Sequence, residues 1–228
     1  MGNKTRASQE VIFRELFNQH KGTTMAVSSE SPAHKALRYE LITDTLKNDD
    51  GFSVHDVGMG LADLLNFMKM RFPEKNFSYS GSDILIEYVE ESRRRYPGII
   101  FFHRDIADCI PDDCYDWVVM SGVFHQRKES TIREWEHFAH QLIKNSFAMA
   151  RKGVVFNFIS PFVDYYQTEV YYSNMPKWIN FINDELSRFF VIRHDYALFE
   201  YTVSVFKPEY VQVNYSQPEF EKYFANNC

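Results

Sequence analysis

Cysteine is scarce in this chain, which has three among 228 residues: Cys109, Cys114 and Cys228. So few support no disulfide framework. Cys109 and Cys114 lack a second Cys or His pair at zinc-ligand spacing, so no metal site is expected. The expectation is reduced thiols in a cytoplasmic protein. Glycine (9) and proline (8) are also sparse against a hydrophobic content of 45%, which excludes collagen-like, low-complexity and disordered chains. An excess of basic charge is lacking as well. Lys and Arg number 25 against 31 Asp and Glu, a formal net charge of −6, so nothing attracts a phosphate backbone broadly and no nucleic-acid partner is expected. No apolar run is long enough to span a bilayer, and the polar start MGNKTRASQE lacks the apolar stretch of a signal peptide, so no membrane partner is expected either.

What is present changes character near residue 50. Residues 1–50 read as a helical lid segment, with helices over Glu10–Gln19 and Pro32–Leu46 separated by a Ser/Thr-rich loop at Gly22–Ser31. From residue 52 short apolar runs alternate with helical stretches. Strands are predicted at Phe52–Val57, Phe77–Ser82, Ile99–His103, Trp117–Met120 and Val154–Ile159. Helices are predicted at Leu61–Arg71, Leu85–Tyr96 and Thr131–Ala150. That alternation calls for an α/β fold with a doubly wound, mostly parallel sheet covered on both faces. A helix near Trp178–Phe190 is followed by Phe190–His194 and Leu198–Phe206, too close together for a parallel crossover and therefore an antiparallel hairpin. The main domain is placed at 51–210, with a tail at 211–228.

The chemistry concentrates at the strand tips. The first strand runs into Asp56-Val57-Gly58-Met59-Gly60, where two glycines let the backbone pass close to a ligand. A dinucleotide fingerprint needs a third glycine at position 63, where Asp63 stands instead and repels a pyrophosphate. The second strand ends in Ser82-Asp83, an acid that can accept both hydroxyls of a ribose. The third ends in Asp105-Ile106, an acid for an exocyclic amine beside an apolar cover for an adenine ring.

With these residues in view, the chain resembles the class I S-adenosylmethionine-dependent methyltransferases of the small-molecule type. The resemblance covers roughly residues 32–206 and rests on DVGMG at 56–60, Asp83, Asp105, YDWVVMSGVFH at 115–125 and the hairpin-like end. It implies a seven-stranded Rossmann-like sheet whose C-terminal strand is antiparallel, and S-adenosylmethionine as cofactor. Gly58 and Gly60 would lie against the methionine part and ribose, and Asp83 with its neighbour Ile84 at the ribose. Asp105 and Ile106 would lie near adenine, Ser121 and Gly122 beside the methionine part. Asp56 reads as an acid that holds the turn and influences the cofactor indirectly. Ala62 departs from the pattern where many members carry a third glycine. Arg38, on a helix that looks like the family's lid, would make a bidentate pair with the methionine carboxylate.

The implied activity is methyl transfer to a small molecule, such as a sugar, metabolite or natural product. His125 is the candidate general base, and on it alone rests a preference for an oxygen acceptor; a loop histidine without chemistry is the competing reading. An aromatic loop at 161–172 is a candidate roof over the acceptor or a packing element. A nicotinamide-dependent oxidoreductase and a catalytically silent cofactor-binding scaffold stay open, as do monomer and homodimer.

Overall fold

Five strands come first, three of them the apolar runs that parallel strands buried on both faces favour and the first two interrupted by buried polar residues, His55, Asp56, Ser80, Ser82 and Asp83. These are β1 (Phe52–Val57), β2 (Phe77–Asp83), β3 (Ile100–His103), β4 (Tyr115–Met120) and β5 (Ala150–Ile159), followed by β6 (Phe190–Arg193) and β7 (Glu200–Phe206). In the computed structural model, which describes residues 2–20 and 31–224, they form one sheet in the order β3-β2-β1-β4-β5-β7-β6. β7 is antiparallel to both β5 and β6, and the other pairs are parallel. The expected α/β class, the seven strands and the antiparallel C-terminal strand are all present. β7 is inserted between β5 and β6, so the sheet's edge is β6.

Seven helices accompany the sheet among the described residues: α1 (Gly2–Gln19), α2 (Pro32–Asp44), α3 (Asp63–Arg71), α4 (Ile86–Arg95), α5 (Ile132–Met149), α6 (Met175–Phe181) and α7 (Pro208–Gln212). Local chemistry sets several of their ends. Ser31 caps α2 by accepting from the His34 N–H, and Thr131 forms a reciprocal capping box with Glu134 at the start of α5. The remainder of the loop expected at Gly22–Ser31 lies outside the described residues, as does Cys228.

One helix differs from expectation. Apolar spacing predicts Trp178–Phe190, but Asn174 caps the helix earlier by accepting from the Lys177 N–H, with Pro176 in its first turn. The chain then leaves through a π turn at Ile182–Leu186, closed by the Ser187 N–H on the Ile182 carbonyl, which frees Phe190 for β6. α1 also starts well before Glu10. The lid segment is not separate from the sheet's core: Ile42 and Leu46 of that segment are fully buried with Phe52, Val54 and Trp117. None of the described helices is long and apolar enough to cross a membrane.

β1 lies between β2 and β4, so the chain winds outward through β2 and β3 and returns to β4 on the other side. A crevice opens where this direction reverses, at the carboxyl ends of β1 and β4. Its floor depends on close packing behind it. A β-carbon at Gly153 would stand 2.3 Å from the Val205 carbonyl oxygen and 2.9 Å from the buried Trp117 ring. Gly153→Ala is therefore expected to lower unfolding stability by about 1–3 kcal/mol, the usual range for overpacking; urea titration checks this, and an unchanged midpoint would contradict it.

Candidate functional site

At the end of β1 the backbone turns through Gly58 at φ +70° and Gly60 at φ +55°. The Gly58 N–H donates to the Ser82 carbonyl at 2.8 Å, and the Gly60 N–H donates to Asp83 Oδ2 at 3.0 Å. Asp83 Oδ1 accepts from the Leu85 N–H at 2.9 Å. The carboxylate at the end of β2 is thereby fixed in orientation, and each of its oxygens keeps acceptor capacity. Burial pushes its pKa up to about 6, against the pull of these backbone donors. Ala62 also sits at positive φ, +56°, a conformation that costs a side-chain-bearing residue about 1–2 kcal/mol; this is where the family pattern has glycine.

Asp56 is buried behind the turn and accepts from the Tyr79 hydroxyl at 2.6 Å. Burial raises its pKa to about 7 although the Tyr79 hydrogen bond opposes the shift. After β3, Asp105 Oδ1 accepts from the Ala107 N–H at 2.9 Å, and Arg6 of α1 lies 3.9 Å from Oδ2. Ile106 is buried beside it, and the Ile84 carbonyl is bonded by the His103 ring at 2.9 Å. After β4, Gly122 turns at φ +73° and its N–H donates to Asn157 Oδ1 at 2.8 Å.

Sequence reasoning overlooked the polar cluster across the crevice. Asn157 of β5 is 1% exposed and Glu200, the first residue of β7, 4%. Asn157 Nδ2 donates to Glu200 Oε2 at 2.6 Å and lies 3.1 Å from His125 Nε2. The Gly122 bond fixes which way the Asn157 amide faces, so His125 Nε2 is the acceptor and the ring proton resides on Nδ1. Burial drives the His125 pKa down to about 4, against the pull of Glu200. The imidazole is thus held neutral and weakly basic, with its Nε2 lone pair facing the Asn157 amide. Arg38, expected to hold the methionine carboxylate of a cofactor, holds Glu200 in this structure: Nε lies 2.8 Å from Oε1 and 2.9 Å from Oε2, and Nη2 2.5 Å from Oε1. Burial would raise the Glu200 pKa, but the neighbouring His125, the Arg38 guanidinium and the Asn157 hydrogen bond together leave it below its ordinary value. One turn before Arg38, Lys35 pairs with Asp63.

A cavity of about 750 Å³ joins these parts, a size suited to small ligands. Every residue singled out from the sequence lines it: Arg38, Asp56, Gly58, Gly60, Asp83, Ile84, Asp105, Ile106, Ser121, Gly122 and His125. Gln9 and Phe13 of α1 close one side. The aromatic loop divides: Tyr165 and Tyr172 line the cavity, whereas Phe162 does not and is 69% exposed. Lone signals for the overlooked pair exist, namely a polar Asn157 inside the apolar run VVFNFI and an acid opening EYTVSVF.

The Asp56–Tyr79 bond yields a direct check. Tyr79→Phe removes a donor that favours the charged carboxylate, so Asp56 should titrate above its present value of about 7. Carboxyl carbon NMR reads this, and an unchanged or lowered midpoint would contradict the assignment.

No family model matches the sequence. The chain is 29% identical over 164 residues, 69% of its length and 95% of the relative's, to the Mycobacterium tuberculosis protein named Putative methyltransferase Rv1506c. Among solved structures it is similar to magnesium protoporphyrin IX methyltransferase (ChlM) from Synechocystis PCC 6803 with bound SAM. That match has a TM-score of 0.58 and 16% identity, covering 87% of this chain and 96% of that one. It is also similar to the N-methyltransferase NodS from Bradyrhizobium japonicum WM9 in complex with S-adenosylhomocysteine, with a TM-score of 0.57 and 13% identity, covering 86% and 98%. By strand order, by the glycine turn at the switch point and by these similarities, the chain has the fold of the class I S-adenosylmethionine-dependent methyltransferases.

Proposed function

We propose that this protein is an enzyme that transfers the methyl group of S-adenosylmethionine to a small-molecule acceptor. The observation that carries this reading is Asp83, which lines the cavity at the tip of β2, is oriented by Gly60 and Leu85, and keeps acceptor capacity on each oxygen. The residues fit the group they would hold. Asp83 would accept the ribose hydroxyls, Asp105 the adenine amine under the cover of Ile106, and the turns at Gly58 and Gly122 let backbone approach the methionine part. Bound here, the cofactor supplies an electrophilic methyl group on a sulfonium, so the protein need not activate the donor. The protein's contribution is alignment of the acceptor and exclusion of water. The aromatic side chains that line the cavity near Glu200, namely Tyr165, Tyr172, Tyr196 and Phe199, support an enzyme over a silent scaffold. Asp63, paired with Lys35 where a pyrophosphate site would need glycine, weighs against a nicotinamide oxidoreductase.

An oxygen acceptor is not supported by the base it was based on. His125 is neutral, weakly basic and already accepts from Asn157. As proposed roles, Arg38 positions the methionine carboxylate while it is braced by Glu200, and His125 helps shape the acceptor wall.

Titration calorimetry tests the reading. S-adenosylhomocysteine should bind and NADH should not, and the opposite pattern would overturn it. Asp83→Ala should weaken S-adenosylhomocysteine binding by about 1–3 kcal/mol, the cost of leaving polar partners unpaired. The pH dependence has a defined sign. The ionised carboxylate is the acceptor, so wild-type affinity should fall as pH drops through about 6, and Asp83→Ala should flatten that profile. An unchanged affinity in the variant would remove Asp83 from the ribose.

A further inference from the structure

The cavity is divided by charge. Apart from Glu200, the lysine, arginine and acid side chains that line it are Lys35, Arg38, Asp56, Asp83, Arg104 and Asp105, all from one stretch of the chain. None of the lining residues between positions 159 and 199 is charged. Glu200 itself is committed: Arg38 Nε meets both of its oxygens, Arg38 Nη2 and Asn157 Nδ2 complete its contacts, and it is 4% exposed. One wall therefore suits a polar, charged ligand and carries the residues assigned to the cofactor. The other wall has no ion to offer.

Aromatic rings stand there instead. Tyr165 and Phe199 line the cavity, meet edge to face with ring centroids 6.4 Å apart, and are 62% and 44% exposed. Such a pair covers one ring face at most, so flat apolar surface is left open at the mouth of the cavity. Tyr172 and Tyr196, both half-buried, continue this wall.

The wall is held in shape by its own hydrogen bonds. The Ser160 N–H donates to the Phe199 carbonyl at 2.9 Å, joining the loop after β5 to the segment before β7. The Gln167 N–H donates to the Tyr172 hydroxyl at 2.9 Å, and the Tyr196 hydroxyl is 3.0 Å from Thr202 Oγ1. These bonds engage hydroxyls that a polyol would need, and Gln167 is the one side-chain amide among the lining residues between 159 and 199. Most hydroxyls of a sugar held here would lose water without gaining a partner. An ionised acceptor would be desolvated with no counter-ion, a larger penalty. A flat, uncharged ring loses little and gains stacking on the open faces. A second copy of this chain seated on the same rings would shut the cavity, whereas rings that belong to its lining fit a ligand that enters it.

We propose that the acceptor is an uncharged aromatic compound whose ring lies on the wall of Tyr165, Tyr172 and Phe199. The inference rests on the methyltransferase reading above.

Ligand-observed NMR titration at neutral pH, on protein saturated with S-adenosylhomocysteine, tests it with five probes. These are naphthol, its saturated counterpart decahydronaphthol, the ions naphthoate and naphthylmethylammonium, and methyl glucoside. Naphthol should bind tightest, about two- to tenfold ahead of decahydronaphthol, the range of an aromatic pair's preference. It should lead the two ions and the glucoside by about tenfold or more. Tyr165→Leu and Phe199→Leu keep apolar bulk and remove a ring, so each should bring naphthol within about twofold of decahydronaphthol. Phe162→Leu alters an exposed ring that does not line the cavity and should leave the order of the probes unchanged. Tightest binding by an ion, the glucoside or the saturated alcohol would overturn the inference. So would absence of naphthol binding, a preference that survives both ring substitutions, or an equal loss in Phe162→Leu, which marks adhesion to the surface. A dimer in sedimentation that Tyr165→Leu dissociates would assign the rings to a second copy and overturn it as well. Failure of S-adenosylhomocysteine to bind the wild-type protein counts against the methyltransferase reading, whereas its binding without a preference for naphthol counts against the acceptor class alone.

Discussion

Asp83 ties the end of β2 to the turn that follows β1, and the geometry of the whole crevice follows from that attachment. Its two oxygens receive one N–H from Gly60 and one from Leu85, so the glycine turn, the start of α4 and the strand tip are held as a unit. A buried carboxylate is costly unless donors surround it, and here the donors are backbone groups that cannot swing away. The raised pKa shows that burial still outweighs them. A polyol arriving at this carboxylate would complete a solvation shell that folding leaves partial.

Across the crevice a second tether does comparable work with side chains. Asn157 uses all of its amide: Oδ1 takes the Gly122 N–H, and Nδ2 faces both Glu200 and His125. One residue near the carboxyl end of β5 thus fixes the loop after β4, the tautomer of an imidazole and the carboxylate that engages Arg38 of α2. Because the loop after β4 and the start of β7 meet at this amide, and Arg38 of α2 joins them through Glu200, the lid segment and this side of the cavity share one network.

Much of the sheet was legible because most strands hold a short apolar run bounded by a polar or glycine break, as in WVVM before Ser121-Gly122. The cavity-lining residues at the strand tips were legible for a related reason. Strand tips at a switch point face the ligand, and Asp83 and Asp105 are the acids at those tips. Glu200 and Asn157 escaped because their meaning is created by long-range register: Ile159 pairs with Glu200 only once β7 has inserted antiparallel beside β5. Arg38 shows the same limit. Its helix and its affinity for a carboxylate could be read locally, but its partner lies at sequence position 200. The misplaced end of α6 arose because Trp178, Phe181 and Ile182 keep helical spacing while the π turn at Ile182–Leu186 redirects the chain.

The central claim is that the tips of β1, β2 and β4 cradle an adenosyl ligand, with its sugar on Asp83. A crystal grown with S-adenosylhomocysteine measures this most directly. The account predicts ribose hydroxyl oxygens within hydrogen-bond distance of both Asp83 oxygens and the adenine beside Ile106. A nucleoside bound elsewhere, or a crevice that stays closed to it at saturating concentration, would contradict the account.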